Sequence, residues 1–328
     1  MTMDEIKEQL YRIEYGGTCF VDSDNAFTRK ARMLQTMKRQ WSGAEAGFVV
    51  KNGKEVNYGN LALDGKEVNR NFLSEEIFQY AKERVKGAKE KAYETIAEER
   101  LFCNFLSSQP MAFNLFWPLM QLVKREDAQV ALADVMKALL SGNAIDQMER
   151  ITEVGIEYIP EYWKDCLHDK TAMDAYFKFQ RYDGREGIIA IETKYTDRLG
   201  TNEARNVNPA IRVANELKNV FTAQGLADIN DRKIKITQVF RNFLLTEKVR
   251  LMEGLDDSLS IVIAPEGNDS NKADEKKLHD MLNEDYQYKF QTVTLEVFVS
   301  LLKETFPDEP LFEEFYKRYL EWGLVKDF

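Results

Sequence analysis

Hydrophobic and polar positions along the first 140 residues follow mainly a helical period. Residues 48–56 are the exception, because two extended runs meet there at Asn52-Gly53, a dipeptide typical of a tight β-hairpin. Ser74, followed by two glutamates, has the character of a helix N-cap with acids in the first turn. The helices predicted in this part of the chain are 27–41, 74–108 with a break near Gly87, and 127–140.

From about residue 150 the pattern changes to short apolar runs typical of strands, separated by helical stretches. Three strands follow one another directly, and a turn sequence at residues 182–185 joins the second to the third. This order predicts an α/β fold in which helices flank a mixed central sheet. The predicted strands are 151–159, 172–181, 187–196, 259–264 and 286–293, and the predicted helices are 208–223, 232–250, 271–283 and two at the C-terminus.

The composition is that of a soluble globular protein, with 44% hydrophobic and 30% charged residues. No apolar run is long enough to cross a membrane, and the N-terminus lacks the apolar stretch of a signal peptide. The three cysteines are widely spaced, without a C-x-x-C pair, which indicates a reducing compartment and argues against a thiolate zinc site. We therefore expect a cytoplasmic protein without a membrane partner.

The two histidines, His168 and His279, narrow the possible chemistry. They exclude an HExxH metalloprotease and any site that needs several imidazoles. A divalent metal would have to bind carboxylates, which favours Mg²⁺ or Mn²⁺ over zinc. The chain also has no GxxxxGK[ST] and no GxGxxG sequence, so neither an ATP-driven motor nor a Rossmann cofactor is indicated.

The segment that carries candidate chemistry spans the second and third predicted strands. Asp174 begins the second strand, and Glu192 and Lys194 end the third, across a tight hairpin. Side chains alternate along a strand, so Glu192 and Lys194 project from the same face. The hairpin brings the start of one strand beside the end of the next, so we expect Asp174 to lie opposite Glu192, where both carboxylates could hold one metal ion.

These residue types suit the hydrolysis of a phosphodiester. Mg²⁺ prefers hard oxygen ligands and keeps several waters, so two carboxylates and a phosphate oxygen form a natural site. The ion polarises the phosphoryl group and lowers the pKa of a bound water. Lys194 could orient the attacking water, take part in proton transfer or stabilise charge that develops on the phosphate.

The Asp174…Glu192-x-Lys194 arrangement resembles the PD-(D/E)XK superfamily of restriction-endonuclease-like nucleases, although Met173 replaces the usual proline before the first acid. Three further stretches resemble a group of poorly characterised bacterial proteins described as candidate restriction endonucleases: residues 106–116, 190–195 and 265–268. The resemblance implies a restriction-endonuclease-like core at residues 86–328, preceded by an accessory region at residues 1–85. It also implies Mg²⁺- or Mn²⁺-dependent cleavage of DNA, in restriction or defence.

The resemblance also suggests residues that would complete the site. Superfamily members often place an acid on the helix before the sheet, and either Glu98 or Glu99 could supply it, with Glu99 preferred as a third metal ligand. Glu157 is a further candidate, because its predicted strand ends near the same edge. On the helix that follows the Glu-x-Lys strand, Gln238 would support the catalytic lysine and Arg241 would contact phosphate, although both also fit an ordinary polar stripe.

A net charge of −10 does not favour nucleic acid, but binding depends on local charge. Residues 25–44 contain five basic residues and no acid, so Lys38 and Arg39 are predicted to contact DNA, unless this is an ordinary solvated helix face. Two other functions stay open: a catalytically inactive nucleic-acid-binding module on the same fold, and a hydrolase of another phosphodiester. The sequence leaves monomer and homodimer open.

Overall fold

Helices and strands occur in the computed structural model in nearly the predicted order; the structure describes residues 2–91, 96–197, 206–269 and 272–325, without the side chain of Asp4. The strands are β1 (Ala46–Lys51), β2 (Lys54–Ala62), β3 (Met148–Tyr158), β4 (Met173–Arg181), β5 (Glu186–Thr193), β6 (Asp257–Ala264) and β7 (Phe290–Thr294). The first helices are α1 (Met3–Tyr15), α2 (Ala26–Trp41), α3 (Glu75–Glu90), α4 (Ser108–Leu122), α5 (Glu126–Leu139) and α6 (Asn143–Asp146). The later helices are α7 (Asn208–Glu216), α8 (Ala223–Asn230), α9 (Gln238–Glu253), α10 (Lys272–Met281), α11 (Leu295–Thr305) and α12 (Pro310–Tyr319).

Two local predictions are confirmed by backbone geometry. The turn between β1 and β2 lies at Asn52-Gly53, where both residues adopt the left-handed conformation, with φ of 51° and 74°. This pair of positive φ angles suits the right-handed twist of a two-residue hairpin. The side chain of Ser74 accepts a hydrogen bond from the backbone N–H of Ile77, so it caps α3 as predicted.

The chain folds into two compact units, residues 1–115 with 308–328, and residues 116–307. This division does not coincide with the predicted boundary between residues 85 and 86, and it assigns the last helix to the first unit. In the first unit, α2 is largely buried and α12 packs against it. The Gln35 side chain donates a hydrogen bond to the Arg318 carbonyl at 2.8 Å, which ties the C-terminal segment to α2.

The second unit is built on a five-stranded sheet in the order β3-β4-β5-β6-β7. The first three strands form an antiparallel meander, whereas β6 and β7 pair in parallel with their neighbours. The mixed central sheet predicted from the sequence is therefore confirmed. Because β5 and β6 are parallel, their carboxyl ends meet at one edge of the sheet, and this edge is also where β4 begins.

Helices cover both faces of this sheet. On one face, α9 packs across β5 and β6, and its apolar residues join Ile188 and Ala190 in one apolar cluster. On the other face, Phe177 of β4 contacts Phe116 of α4, which in turn contacts Phe298 of α11. A strand covered on both faces is expected to be apolar throughout, and β5 is buried from Gly187 to Thr193.

Some helix boundaries differ from the prediction. The helix predicted at 232–250 begins only at Gln238; residues 233–237 before it are not helical, and Ile234 and Ile236 are buried there. The helix predicted to reach residue 108 ends at Glu90, and the chain then forms a π-helical turn at Glu99–Cys103. None of the helices in the described ranges is long and apolar enough to cross a membrane.

Candidate active site at the ends of β4 and β5

The pairing of β4 with β5 determines where Asp174 and Glu192 lie. Ala175 pairs with Ile191, so Asp174 and Glu192 face each other one residue further along the two strands. Asp174 Oδ2 accepts hydrogen bonds from the Thr193 amide at 2.8 Å and from the Thr193 hydroxyl at 2.9 Å. The carboxylate of Asp174 is therefore fixed against the residue that follows Glu192.

Lys194 completes a buried ion pair beside Asp174. Its Nζ lies 2.5 Å from Glu192 Oε1, and the exposed fractions are 7% for Lys194 and 4% for Glu192. The backbone N–H of Lys194 donates to the Ile263 carbonyl on β6 at 2.9 Å. In the loop after β6, Asn268 donates to the Tyr195 carbonyl at 3.0 Å. The backbone of Lys194 and Tyr195 is therefore held by β6 and by the loop that follows it.

The N-terminal turns of α9 hold both oxygens of Glu192. Gln238 Nε2 donates to Oε1 at 2.7 Å, and Asn242 Nδ2 donates to Oε2 at 2.5 Å. Residues four apart lie on the same helical face, so one helix clamps the carboxylate from both sides. Gln238 was predicted to belong to this site, whereas Asn242 was missed. The signal for Asn242 was its spacing of four from Gln238 on the same helix.

Burial and like charge shift the pKa values of both acids upward. Burial, with a further contribution from the negative charge of Asp174, raises the pKa of Glu192 to about 7, while Lys194 opposes both effects. Burial also raises the pKa of Asp174, against the lowering effect of Lys194 and the hydrogen bonds from Thr193. Burial lowers the pKa of Lys194, but its attraction to Glu192 and Asp174 outweighs this, and the net pKa is raised.

The donor set at this edge suits a hard divalent cation. Two carboxylates with one lysine leave a net negative charge, and Asp174 Oδ1 has no hydrogen-bond partner in the described part of the chain. No group of three or more His, Cys, Asp or Glu able to hold a metal occurs within the described ranges. The protein would thus supply two oxygen ligands, and water and substrate oxygens would supply the others, as Mg²⁺ and Mn²⁺ permit.

Residues 22–321 match the family model of the PD-(D/E)XK nuclease superfamily. The chain belongs to the PD-(D/E)XK nuclease superfamily. No curated protein and no solved structure matches it. Its superfamily membership agrees with the observed α/β architecture, in which a meander of three antiparallel strands precedes the parallel strand β6.

Glu98 and Glu99, suggested as a third ligand of the superfamily site, belong to the first unit. Glu99 belongs to the first unit, where its carboxylate pairs with Lys66 and its side chain is 75% exposed. Glu98 pairs with Lys89 at 2.6 Å in the same unit. Residues 99–103 form a π-helical turn, where an α-helix was predicted. A role for Glu99 at the metal stays a prediction.

Glu157 lies on β3, the strand that pairs with β4. It falls between the strand pairs Ile156–Ala175 and Tyr158–Met173, hence across from Asp174 on the neighbouring strand. It is buried, with 8% of its surface exposed, and has a φ of 53°. A positive φ is uncommon for a residue other than glycine, so the backbone of β3 is distorted at this acid.

The structure corrects the predicted DNA contact of Arg39. Its guanidinium is 1% exposed and donates to the backbone carbonyls of Gly59 at 2.6 Å, Ala44 and Tyr15. Arg39 is therefore an internal residue that joins α2 to the hairpin and to the end of α1. Lys38 is also largely buried, with its Nζ 2.8 Å from Glu321.

Arg241 lies on α9 in the same unit as the acids, as the prediction required. Its Nε is 3.7 Å from an Asp169 carboxylate oxygen, and its side chain is 18% exposed. Nη1 donates to the Ile236 carbonyl at 3.3 Å. A phosphate contact of Arg241 stays a prediction.

Proposed function

We propose that this chain is a divalent-metal-dependent DNA nuclease, with Asp174 and Glu192 as its metal ligands and Lys194 as its catalytic cation. The observation that carries the proposal is the buried pair of Glu192 and Lys194 beside Asp174. Burying two acids and a lysine is costly without a function or full pairing, and one lysine leaves this group negatively charged. A substrate phosphate approaching these acids would need a bridging cation.

A bound Mg²⁺ or Mn²⁺ would polarise the phosphoryl group and lower the pKa of a coordinated water. Lys194 Nζ contacts Glu192 Oε1, and from there it would orient the attacking water or donate to a non-bridging phosphate oxygen. Water adds to phosphorus and gives up a proton to the solvent, the bond from phosphorus to the leaving oxygen breaks, and that oxygen takes up a proton from the solvent, so that one water is consumed for each bond cut. Gln238 and Asn242 keep the Glu192 carboxylate in one orientation throughout.

The finer parts of the proposal rest on the resemblance and on the composition. A role in restriction or defence follows from the similar bacterial proteins, and action in the cytoplasm follows from the free, buried cysteines. The inactive binding module remains the alternative function, since a superfamily member can keep the fold and lose the reaction. A homodimer is compatible with either function.

The deciding experiment is a cleavage assay with labelled linear, circular and single-stranded DNA, with and without Mn²⁺. We expect ion-dependent cleavage that is lost in Asp174→Ala, Glu192→Ala and Lys194→Ala. Glu186→Gln is the matched control, because Glu186 is an exposed acid at the opposite end of β5. Binding of DNA without cleavage by any ion would favour the inactive module. Unchanged cleavage by all three alanine variants would place the activity elsewhere.

A further inference from the structure

A basic segment leads into α9 and the candidate site. Residues 232–246 contain Arg232, Lys233, Lys235 and Arg241 and no acidic residue, in a chain whose net charge is −10. We call residues 232–237, which precede the helix, the entry segment. Local charge of this kind, and not the net charge, determines where a polyanion is attracted.

The entry segment presents its cations to solvent. Ile234 and Ile236 are buried, whereas Lys233 and Lys235 are exposed, so burial alternates from residue to residue. Ile234 and Ile236 therefore anchor the segment to the apolar cluster under α9, and the two lysines point outward together.

The ion pairs that this segment makes lie at the surface. Lys233 lies 2.9 Å from Asp231 and 3.7 Å from Asp228, surface pairs that are worth little in water and that a phosphate could replace. Arg232 donates to the side-chain amide oxygen of Asn208 at 2.8 Å. This acceptor is neutral, so the contact does not cancel the positive charge of Arg232. Within the described ranges, Lys235 has no ion-pair partner.

The entry segment is tied to the candidate site by short chain distances. The Thr237 amide donates to the Lys235 carbonyl at 3.0 Å, and the next residue, Gln238, contacts Glu192. Three residues span about 10 Å at most, which is roughly three nucleotide rises along one DNA strand. If a DNA strand is cut at the candidate site, its neighbouring phosphates would therefore lie within reach of the entry segment.

From these observations we infer that Arg232, Lys233 and Lys235 form a phosphate-contacting surface that holds the backbone of the nucleic acid beside the site. The inference rests on the proposed nuclease function and adds to it the surface along which the substrate lies. Contacts to the phosphate backbone are independent of base sequence, so this surface would contribute affinity and position, not sequence recognition. It takes the role that the sequence had suggested for Arg39.

The test is the salt dependence of DNA binding in EDTA, measured by fluorescence anisotropy between roughly 50 and 200 mM salt. For Lys233→Glu/Lys235→Glu we expect weaker binding and a log–log salt slope that is shallower by about 0.9 for each phosphate that the protein no longer neutralises. Lys233→Arg/Lys235→Arg should keep the wild-type slope. The matched control is Lys276→Glu/Lys277→Glu, which reverses two exposed lysines of α10 by the same total charge.

The outcomes separate this inference from the proposed function. A shallower slope in the entry-segment variant alone supports the surface, provided that its unfolding midpoint matches the wild type. An unchanged slope, or equal weakening in the α10 control, overturns the surface while wild-type cleavage of DNA leaves the nuclease function intact. If the wild-type protein neither binds nor cleaves DNA, both proposals fail.

Discussion

The buried carboxylate of Glu192 has three polar side-chain partners. Lys194 and Gln238 contact its Oε1, and Asn242 contacts its Oε2. Asp174 lies across from it, and the negative charge of Asp174 raises the pKa of Glu192. The fold thus holds two carboxylates together at an energetic cost that a cation would relieve. The same arrangement that suggests metal binding also makes the folded protein sensitive to pH.

We predict that the metal-free protein loses stability as pH rises. The pKa of Glu192 is raised from 4.5 to about 7, so between these values the folded state keeps a proton that the unfolded state has released. The stabilising contribution is complete below about pH 4.5 and is lost as pH passes through 7, a change of about 3 kcal/mol at most.

Denaturant unfolding of wild type and Glu192→Gln in EDTA, at about pH 5 and about pH 8, measures this change. The wild type should lose stability relative to Glu192→Gln at the higher pH, because glutamine has no proton to release. A constant difference between the two proteins would show that Glu192 titrates normally in the folded state.

The second prediction at this scale concerns Asn242. Truncation in Asn242→Ala removes the hydrogen bond to Glu192 Oε2, so the carboxylate is no longer clamped from both sides. Removing a hydrogen bond that supports a metal ligand typically costs about 10- to 100-fold in metal affinity or activity. Stability should change little, because Asn242 Oδ1 is already buried without a partner in the described structure.

Mn²⁺ titration and steady-state cleavage would measure this effect, with Asn215→Ala on α7 as the control. Asn215 is exposed and bonds to the side chain of Asn230. A decrease in kcat with little change in the KM for DNA would indicate a positioning role. Wild-type kcat and Mn²⁺ affinity in Asn242→Ala would contradict it.

At the scale of elements, α9 is fixed to the sheet at two places. Its first turns contact Glu192, and further along Glu247 forms a buried ion pair with Lys289 at 2.7 Å and a hydrogen bond with Ser258 of β6. Both charged residues are almost fully buried, with 1% and 5% of their surfaces exposed. The helix that clamps the candidate site is thus held by a charge pair at the other end of β6.

We predict that Lys289→Met destabilises the protein by about 3 kcal/mol, because Glu247 would keep a buried charge with only the partly exposed Arg250, 3.1 Å away, as its ion-pair partner. The double variant Glu247→Gln/Lys289→Met should recover a large part of this loss, since both charges are then removed. Urea unfolding of the two variants measures the difference. Lys317→Met, which changes an exposed lysine of α12, should be within about 0.5 kcal/mol of wild type.

At the scale of the whole molecule, we predict that a bound metal ion stabilises the two compact units to different extents. Asp174 and Glu192 both lie in the unit formed by residues 116–307. A ligand that binds only the folded state stabilises it by about 2.7 kcal/mol at 100 times its Kd. Mn²⁺ should therefore slow hydrogen exchange at the core amides of this unit and leave those of residues 1–115 unchanged.

The control for that measurement is the double variant Asp174→Ala/Glu192→Ala, in which Mn²⁺ should slow hydrogen exchange in neither unit. Protection that survives in this double variant would place the ion elsewhere. Equal protection of both units in the wild type would show that the two units unfold together, and it would contradict the prediction.

The sequence by itself determined the parts of this protein that depend on local contacts. The hairpin at Asn52-Gly53 and the cap at Ser74 follow from backbone preferences of single residues. The facing positions of Asp174 and Glu192 follow from the two-residue period of strands joined by a short turn. Consecutive strands joined by short turns pair antiparallel, whereas strands separated by a helix can pair in parallel. The order of the elements was therefore sufficient to predict a mixed sheet.

Only the tertiary structure decided which distant residues meet. Asn242 lies 50 positions after Glu192, and Lys289 lies 42 after Glu247, and nothing in a local pattern links such pairs. The basic residues of α2 and of the entry segment look alike in sequence, yet Arg39 is buried against carbonyl groups while Lys235 is exposed. A charged side chain becomes internal or external according to what the rest of the chain packs around it, and that packing depends on the whole fold.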